Sequence, residues 1–121
     1  MSTNNTYLAV FIGDALGTRR AAWDALPETE RHAKEREGMA AWHAWVTKHA
    51  GDIVTMGGPL GKTKKVSPQG IADISNHLGA FTVVRADSHE AAARLFDKHP
   101  HFSIFPGASV EVMPVMPIPG G

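Results

Sequence analysis

From Tyr7 to Ile12 every position is apolar, with Tyr7, Ala9 and Phe11 on one alternating face and Leu8, Val10 and Ile12 on the other. Such a strand is covered on both sides. Gly13-Asp14 and Gly17 end it, and the pattern predicts a short helix over Arg19 to Leu26, before Pro27. A longer helix is predicted from about Glu28 to His49, closed by Gly51, with Met39, Trp42, Trp45, Val46 and His49 as its buried stripe at three- and four-residue spacing. Asp52 to Met56 predicts a second strand, short and leading directly into a glycine-rich loop. The apolar pattern returns at Gly79 to Ala86, where Phe81 and Val83 alternate with Ala80, Thr82 and Val84. Asp87 stands three residues before Glu90, the spacing of a capping box. The helix it opens runs to about Lys98, burying Ala91, Ala92, Leu95 and Phe96, and His99-Pro100 stops it. Ser109 to Val115 predicts a last strand.

Strand, helix, strand, then strand, helix, strand is the order of the ferredoxin-like split β-α-β, an α+β fold with both helices on one face of an antiparallel sheet. The other face is then bare, yet the strands are apolar there too. Burying each large side chain of that face recovers roughly 1.5–3 kcal/mol. The expectation is therefore a homodimer with two sheets face to face, a dimeric α+β barrel. The alternative is that the short helix around Trp23 and the long connection fold over the open face.

A chain of 121 residues, 43% hydrophobic and 20% charged, is sized for one ordered domain over 1–121, with a polar tail at 1–6 and a Pro/Gly tail at 116–121. Twelve Lys and Arg balance twelve Asp and Glu, so no net field draws it to nucleic acid or to a membrane. No aromatic platform interleaves with the lysines either. The absence of Cys excludes disulfides, thiolate zinc sites and a Cys nucleophile, and fits a reducing cytoplasm. There is no long apolar run, so the expectation is a soluble cytoplasmic protein.

The stretch GGPLGKTKK, Gly57 to Lys65, has the look of a nucleotide phosphate loop but lacks its mechanics. That motif places four residues between its glycines, whereas Gly57 and Gly61 are separated by three. Pro59 removes one N–H from the cradle, and KKVSPQG, which follows Thr63, is hairpin or loop chemistry rather than a first helical turn. Seven His suggest metal, but His43 and His49 lie six apart on one helix, His99-x-His101 presents both imidazoles to one side only if the backbone is extended there, and His77 lies in another loop. No H-E-x-x-H or Glu-x-x-His pair supports them. Neither a metal nor a cofactor is expected.

Several stretches together resemble the YCII-related family and its DGPF subgroup: the opening YLAVFIG, the Trp-bearing helix ending in HAGDIV, the GGPL turn with its K-T-K, GAFTVVRADSHEAAARLFDKHP, and the closing VEVMPV. Gly58-Pro59 matches the Gly-Pro of the subgroup's D-G-P-F, with Gly57 in place of its Asp and Leu60 in place of its Phe. Lys62-Thr63-Lys64 sits near its usual E-T-K-E, with Lys65 where an acid is common. The resemblance implies small α+β barrel proteins that pair as dimers and whose biochemical roles are largely open. Some relatives carry a His–Asp pair proposed for catalysis, with the His early on the first long helix. The corresponding position here falls near Met39-Ala40, which cannot transfer a proton.

Lys62, Lys64 and Lys65 have no acidic neighbour between Asp52 and Asp73, so the segment is locally positive. One reading is an edge strand that its lysines keep from associating. The other is a cleft between the glycine-rich turn, the Trp helix and His77, where Lys62 or Lys64 holds a small organic anion, Gly58 allows close backbone approach and Trp45 supplies an apolar wall. With a base in it, the cleft suits cofactor-independent lyase, isomerase or dehydrohalogenase chemistry. His43 or His77 would take the proton, a Lys would stabilise the developing oxyanion, and Asp73, Asp52 or Asp24 would orient the imidazole. A domain that carries no ligand is the third possibility.

Overall fold

A computed structural model describes residues 5–120. The part of the polar tail from 1 to 4, and the final Gly121, lie outside the described residues. In chain order come β1 (Thr6–Ile12), α1 (Thr18–Asp24), α2 (Glu28–Lys48), a 3-10 turn (Ala50–Asp52), β2 (Ile53–Pro59), β3 (Thr63–Ser67), β4 (Gly70–Ile74), β5 (Leu78–Arg85), α3 (His89–Arg94), α4 (Pro100–Ser103) and β6 (Ser109–Pro114). Four strands form one antiparallel sheet in the order β2-β5-β1-β6, the ferredoxin-like arrangement of the α+β class. β3 and β4 make a separate two-stranded hairpin.

The register assigns the two faces of the sheet. Tyr7, Ala9 and Phe11 stand opposite Val84, Thr82 and Ala80 on β5, and opposite Pro114, Val112 and Val110 on β6. This is the helix-covered face, where Phe11 is 1% exposed and joins Trp45, Ala92 and Phe96 in the core. Leu8 and Val10 share the other face with Val83 and Phe81, and all four are only half-buried. The short helix does not cover that second face. Trp23 of α1 packs on Phe105, Phe105 on Trp42, and Trp42 on Phe11, which places α1 on the same side as α2.

The predicted stripe of α2 faces the core at Trp42, Trp45, Val46 and His49, whereas Met39 is 50% exposed and its neighbour Gly38 is buried instead. Gly38 is buried because the ring of Phe105 lies where a side chain would be: a Cβ there would sit 2.5 Å from Phe105 Cε2. The cap of α3 also differs by one residue. Ser88, not Asp87, accepts the N–H of Ala91, at 3.0 Å. α3 ends at Arg94 rather than near Lys98, turns carry the chain on to Lys98, and His99-Pro100 starts a further helix, with Pro100 in the first turn of α4.

Between Thr55 and Gly58, β2 advances three residues while β5 advances only two, from Val83 to Phe81. The extra residue forms a bulge at Gly57, whose φ is +70°. A Cβ on Gly57 would lie 1.9 Å from the carbonyl oxygen of Phe81, a backbone atom that cannot step aside. Gly57→Ala is therefore expected to lower stability in urea unfolding by about 2 kcal/mol or more, from the left-handed conformation plus the clash. Gly51→Ala, at a position with nothing within 4 Å, should change it little. Equal midpoints for the two variants would show that the bulge relaxes freely.

Candidate cleft and buried histidine cluster

The glycine-lysine segment does border a cleft, at the root of the β3–β4 hairpin. Leu60, Gly61, Lys62, Thr63 and Lys64 line one side of it, and Asp73, Ile74, Ser75, Asn76 and Leu78 the other, around a volume of about 650 Å³. That lies within the usual span of small-molecule sites, roughly 300–1,000 Å³. Backbone and side-chain bonds fix its walls. Leu60 N–H donates to Gly79 O at 2.9 Å, Asn76 Nδ2 donates to Thr63 Oγ1 at 3.2 Å, and Asn76 Oδ1 accepts from Leu78 N at 3.0 Å.

The charges of the cleft differ from the sequence expectation of an unneutralised positive run. Lys64 and Asp73 are ladder partners across the hairpin, and their Nζ–Oδ1 distance is 2.7 Å. A pair this exposed contributes little to stability, but it cancels one lysine charge locally. Lys62 has no ion-pair partner among the described residues. The lining therefore carries one uncompensated positive charge.

The other candidates are dispersed. Trp45 lies in the core, where its Nε1 donates to Leu95 O at 2.7 Å, and it does not line the cleft. Gly58 sits in β2 opposite Phe81, also outside the lining. His43 is exposed on α2. His77 falls between two lining residues, Asn76 and Leu78, and its backbone carbonyl accepts from Gly13 N at 2.7 Å. No hydrogen bond among the described residues joins His43, His77 and Asp73; the carboxylate of Asp73 is engaged by Lys64.

A second cluster was not anticipated from the sequence, where His99 reads as a helix stop. His99 is 0% exposed and stands among the rings of Trp42 at 4.5 Å, Trp45 at 4.8 Å, Phe11 at 5.0 Å and Phe96 at 5.9 Å. Its Nδ1 accepts the N–H of His101 at 3.0 Å, so the neutral ring carries its proton on Nε2. That Nε2 has no hydrogen-bond partner among the described residues. The Trp42 ring stands perpendicular to the imidazole, at 89°. Burial first, and then the nearby positive charges of His101 and His49, lower the His99 pKa to about 4. His101 donates from Nε2 to Ile12 O at 2.7 Å, and burial lowers its pKa as well. The only sequence signal for this cluster is the density of aromatics in FDKHPHFSIF, Phe96 to Phe105.

No family model matches the chain, and no curated protein matches it. Among solved structures it is similar to the 5-chloro-2-hydroxyhydroquinone dehydrochlorinase TftG from Burkholderia phenoliruptrix, in complex with 2,5-dihydroxybenzoquinone. The TM-score is 0.53 at 17% sequence identity, over 92% of this chain and 93% of that one. A likeness at that identity establishes a shared fold. Among the described residues no helix is long and apolar enough to cross a membrane.

Proposed function

We propose that this protein binds a small organic anion in the cleft at the root of the β3–β4 hairpin, and that it does so as a homodimer in the cytoplasm. The observation that carries the reading is Lys62, an ammonium without an ion-pair partner among the described residues, on a cleft of about 650 Å³. The family resemblance supports it by pointing to paired α+β barrels of the YCII-related kind, and the fold shared with TftG is compatible with that kinship. Neither nucleic acid nor a membrane is proposed as a partner.

A charge-assisted contact contributes roughly 1.5–3 kcal/mol, so Lys62→Met should weaken a ligand found by thermal-shift screening by about 10- to 100-fold while barely moving the melting temperature of the free protein. Lys64→Met should have a smaller effect, because Asp73 already engages that ammonium. Unchanged affinity in both variants would make the lysines hairpin-edge protection and move the ligand elsewhere. If no anion binds at all, the domain without a ligand becomes the better reading.

A cofactor-independent proton transfer is the second reading: His77 is flanked in the chain by the lining residues Asn76 and Leu78, though it does not itself line the cleft. An imidazole turned into the cleft from that position would abstract a proton from a bound phenolic or hydroxyquinone compound, and expulsion of a leaving group would complete a lyase or dehydrohalogenase reaction. TftG, a dehydrochlorinase with a dihydroxybenzoquinone bound, makes halogenated hydroquinones a rational first substrate panel. Turnover abolished by His77→Ala with ligand affinity retained would establish this reading. Turnover that survives that change and fails in His43→Ala would move the base to α2.

A further inference from the structure

We infer that the cleft at the root of the hairpin selects monoanions with a flat apolar body, aromatic monocarboxylates above all, over small hydrophilic anions and over phosphate dianions. This rests on the anion-binding reading above and narrows it. Two properties of the lining support the selection. The first is charge. Lys62 and Lys64 face a single carboxylate, Asp73, which pairs with Lys64 at 2.7 Å and leaves one net positive charge. A second negative charge on a ligand would find no second free cation and would lie near the Asp73 carboxylate, so a dianion gains little over a monoanion and meets repulsion.

The second property is apolar surface. Leu60, Ile74 and Leu78 border the cleft and are all exposed, at 43%, 41% and 46%. A ring laid against them removes that surface from water, whereas acetate or inorganic phosphate does not. The remaining polar groups suit one carboxylate head. Thr63 Oγ1 accepts from Asn76, which leaves the hydroxyl hydrogen free to donate, and Asn76 Nδ2 keeps a second N–H. With the ammonium of Lys62, these donors exceed what a neutral ligand needs.

The test titrates the full chain with benzoate, acetate, inorganic phosphate and benzamide, followed by backbone amide NMR shifts. Benzoate is expected to saturate with shifts at Leu60, Lys62, Ile74 and Leu78, and to bind at least about tenfold tighter than each of the other three. Lys62→Met should weaken benzoate about tenfold. Lys65→Met, which removes the same charge from a residue outside the lining, should leave it within about twofold, as expected for a screened surface charge. Acetate binding as tightly as benzoate, or phosphate binding more tightly with Lys62-dependent shifts, overturns the selectivity and keeps the anion site. Benzamide matching benzoate overturns the role of charge. Should none of the anions shift these residues, the selectivity and the anion-binding reading both fall.

Discussion

Phe81→Asp is expected to yield a folded monomer, whereas Phe11→Asp is expected not to fold. The two residues sit on neighbouring strands and are equally apolar, but they lie on opposite faces of the sheet. Phe11 is 1% exposed and in contact with the rings of Trp42, Phe96, His99 and His101. Removing such a side chain costs about 3–5 kcal/mol, and an unpaired buried carboxylate adds several more, together comparable to the whole stability of a small domain. Phe81 is half-buried beside Val10, on the face that the helices leave uncovered. In a single chain a carboxylate at that site reaches water. Between two stacked sheets it would be trapped dry, and the proposed dimer would come apart. Glu111 is the one acid already on that face, opposite Val10, but it lies on the edge strand β6 and is exposed, as suits the rim of an interface. Light scattering at micromolar concentration should return twice the 13.0 kDa chain mass for the parent protein and the single mass for Phe81→Asp, with unchanged far-UV circular dichroism. A parent chain that stays monomeric throughout that range sinks the face-to-face assembly, and so does a dimer that tolerates Phe81→Asp.

The strands were legible because a run such as Tyr7 to Ile12, apolar on both faces, has few other solutions, and alternation alone fixed which residues share a face. The hairpin chemistry of KKVSPQG was likewise visible in its turn residues, and it became β3 and β4. What periodicity could not resolve was any choice made by a partner in space. Gly38 is buried and Met39 exposed because Phe105, 67 positions on in the chain, occupies the room beside the helix. Lys64 lost its apparent isolation for a similar reason, since its acid, Asp73, arrives from across a turn. The cleft was expected against the Trp helix, whereas the concavity that Lys62 and Lys64 border lies at the root of the hairpin. Its other wall comes from Asp73 to Leu78, a segment whose alignment depends on the hairpin register. His99 was hardest to anticipate. A polar residue at the centre of an aromatic core contradicts its own type, and only the three-dimensional box of Trp42, Trp45, Phe11 and Phe96 explains it.

That box makes the protein acid-sensitive in a defined window. His99 has a folded-state pKa of about 4 against 6.5 for the free side chain, so above pH 6.5 it is neutral whether the chain is folded or not. As pH falls from 6.5 towards 4, the unfolded chain takes up a proton that the folded one refuses, and stability drops. Below pH 4 both states are protonated and the contribution of His99 is exhausted. The loss across the window is about 3 kcal/mol, a large share of a small domain's stability. His101 shifts in the same direction, is lowered further by the charge of Arg19, and should steepen the slope. The structural reason is burial first, which strips water from the imidazolium, and then the nearby charges of His101 and His49; in addition Nδ1, the site that would take the proton, already accepts the His101 N–H, so protonation sets donor against donor at the start of α4. Urea unfolding at successive pH values should show the parent losing stability steeply between pH 6.5 and 4, whereas His99→Asn, which keeps an acceptor near the Nδ1 position but does not titrate, should start lower at pH 7 and lose less. Ring NMR gives an independent reading on the parent protein alone, since the His99 imidazole should remain neutral at pH 5. Parallel pH slopes for the parent and His99→Asn, or a His99 ring already charged at pH 5, would show that the aromatic box opens to water and that the acid sensitivity arises elsewhere.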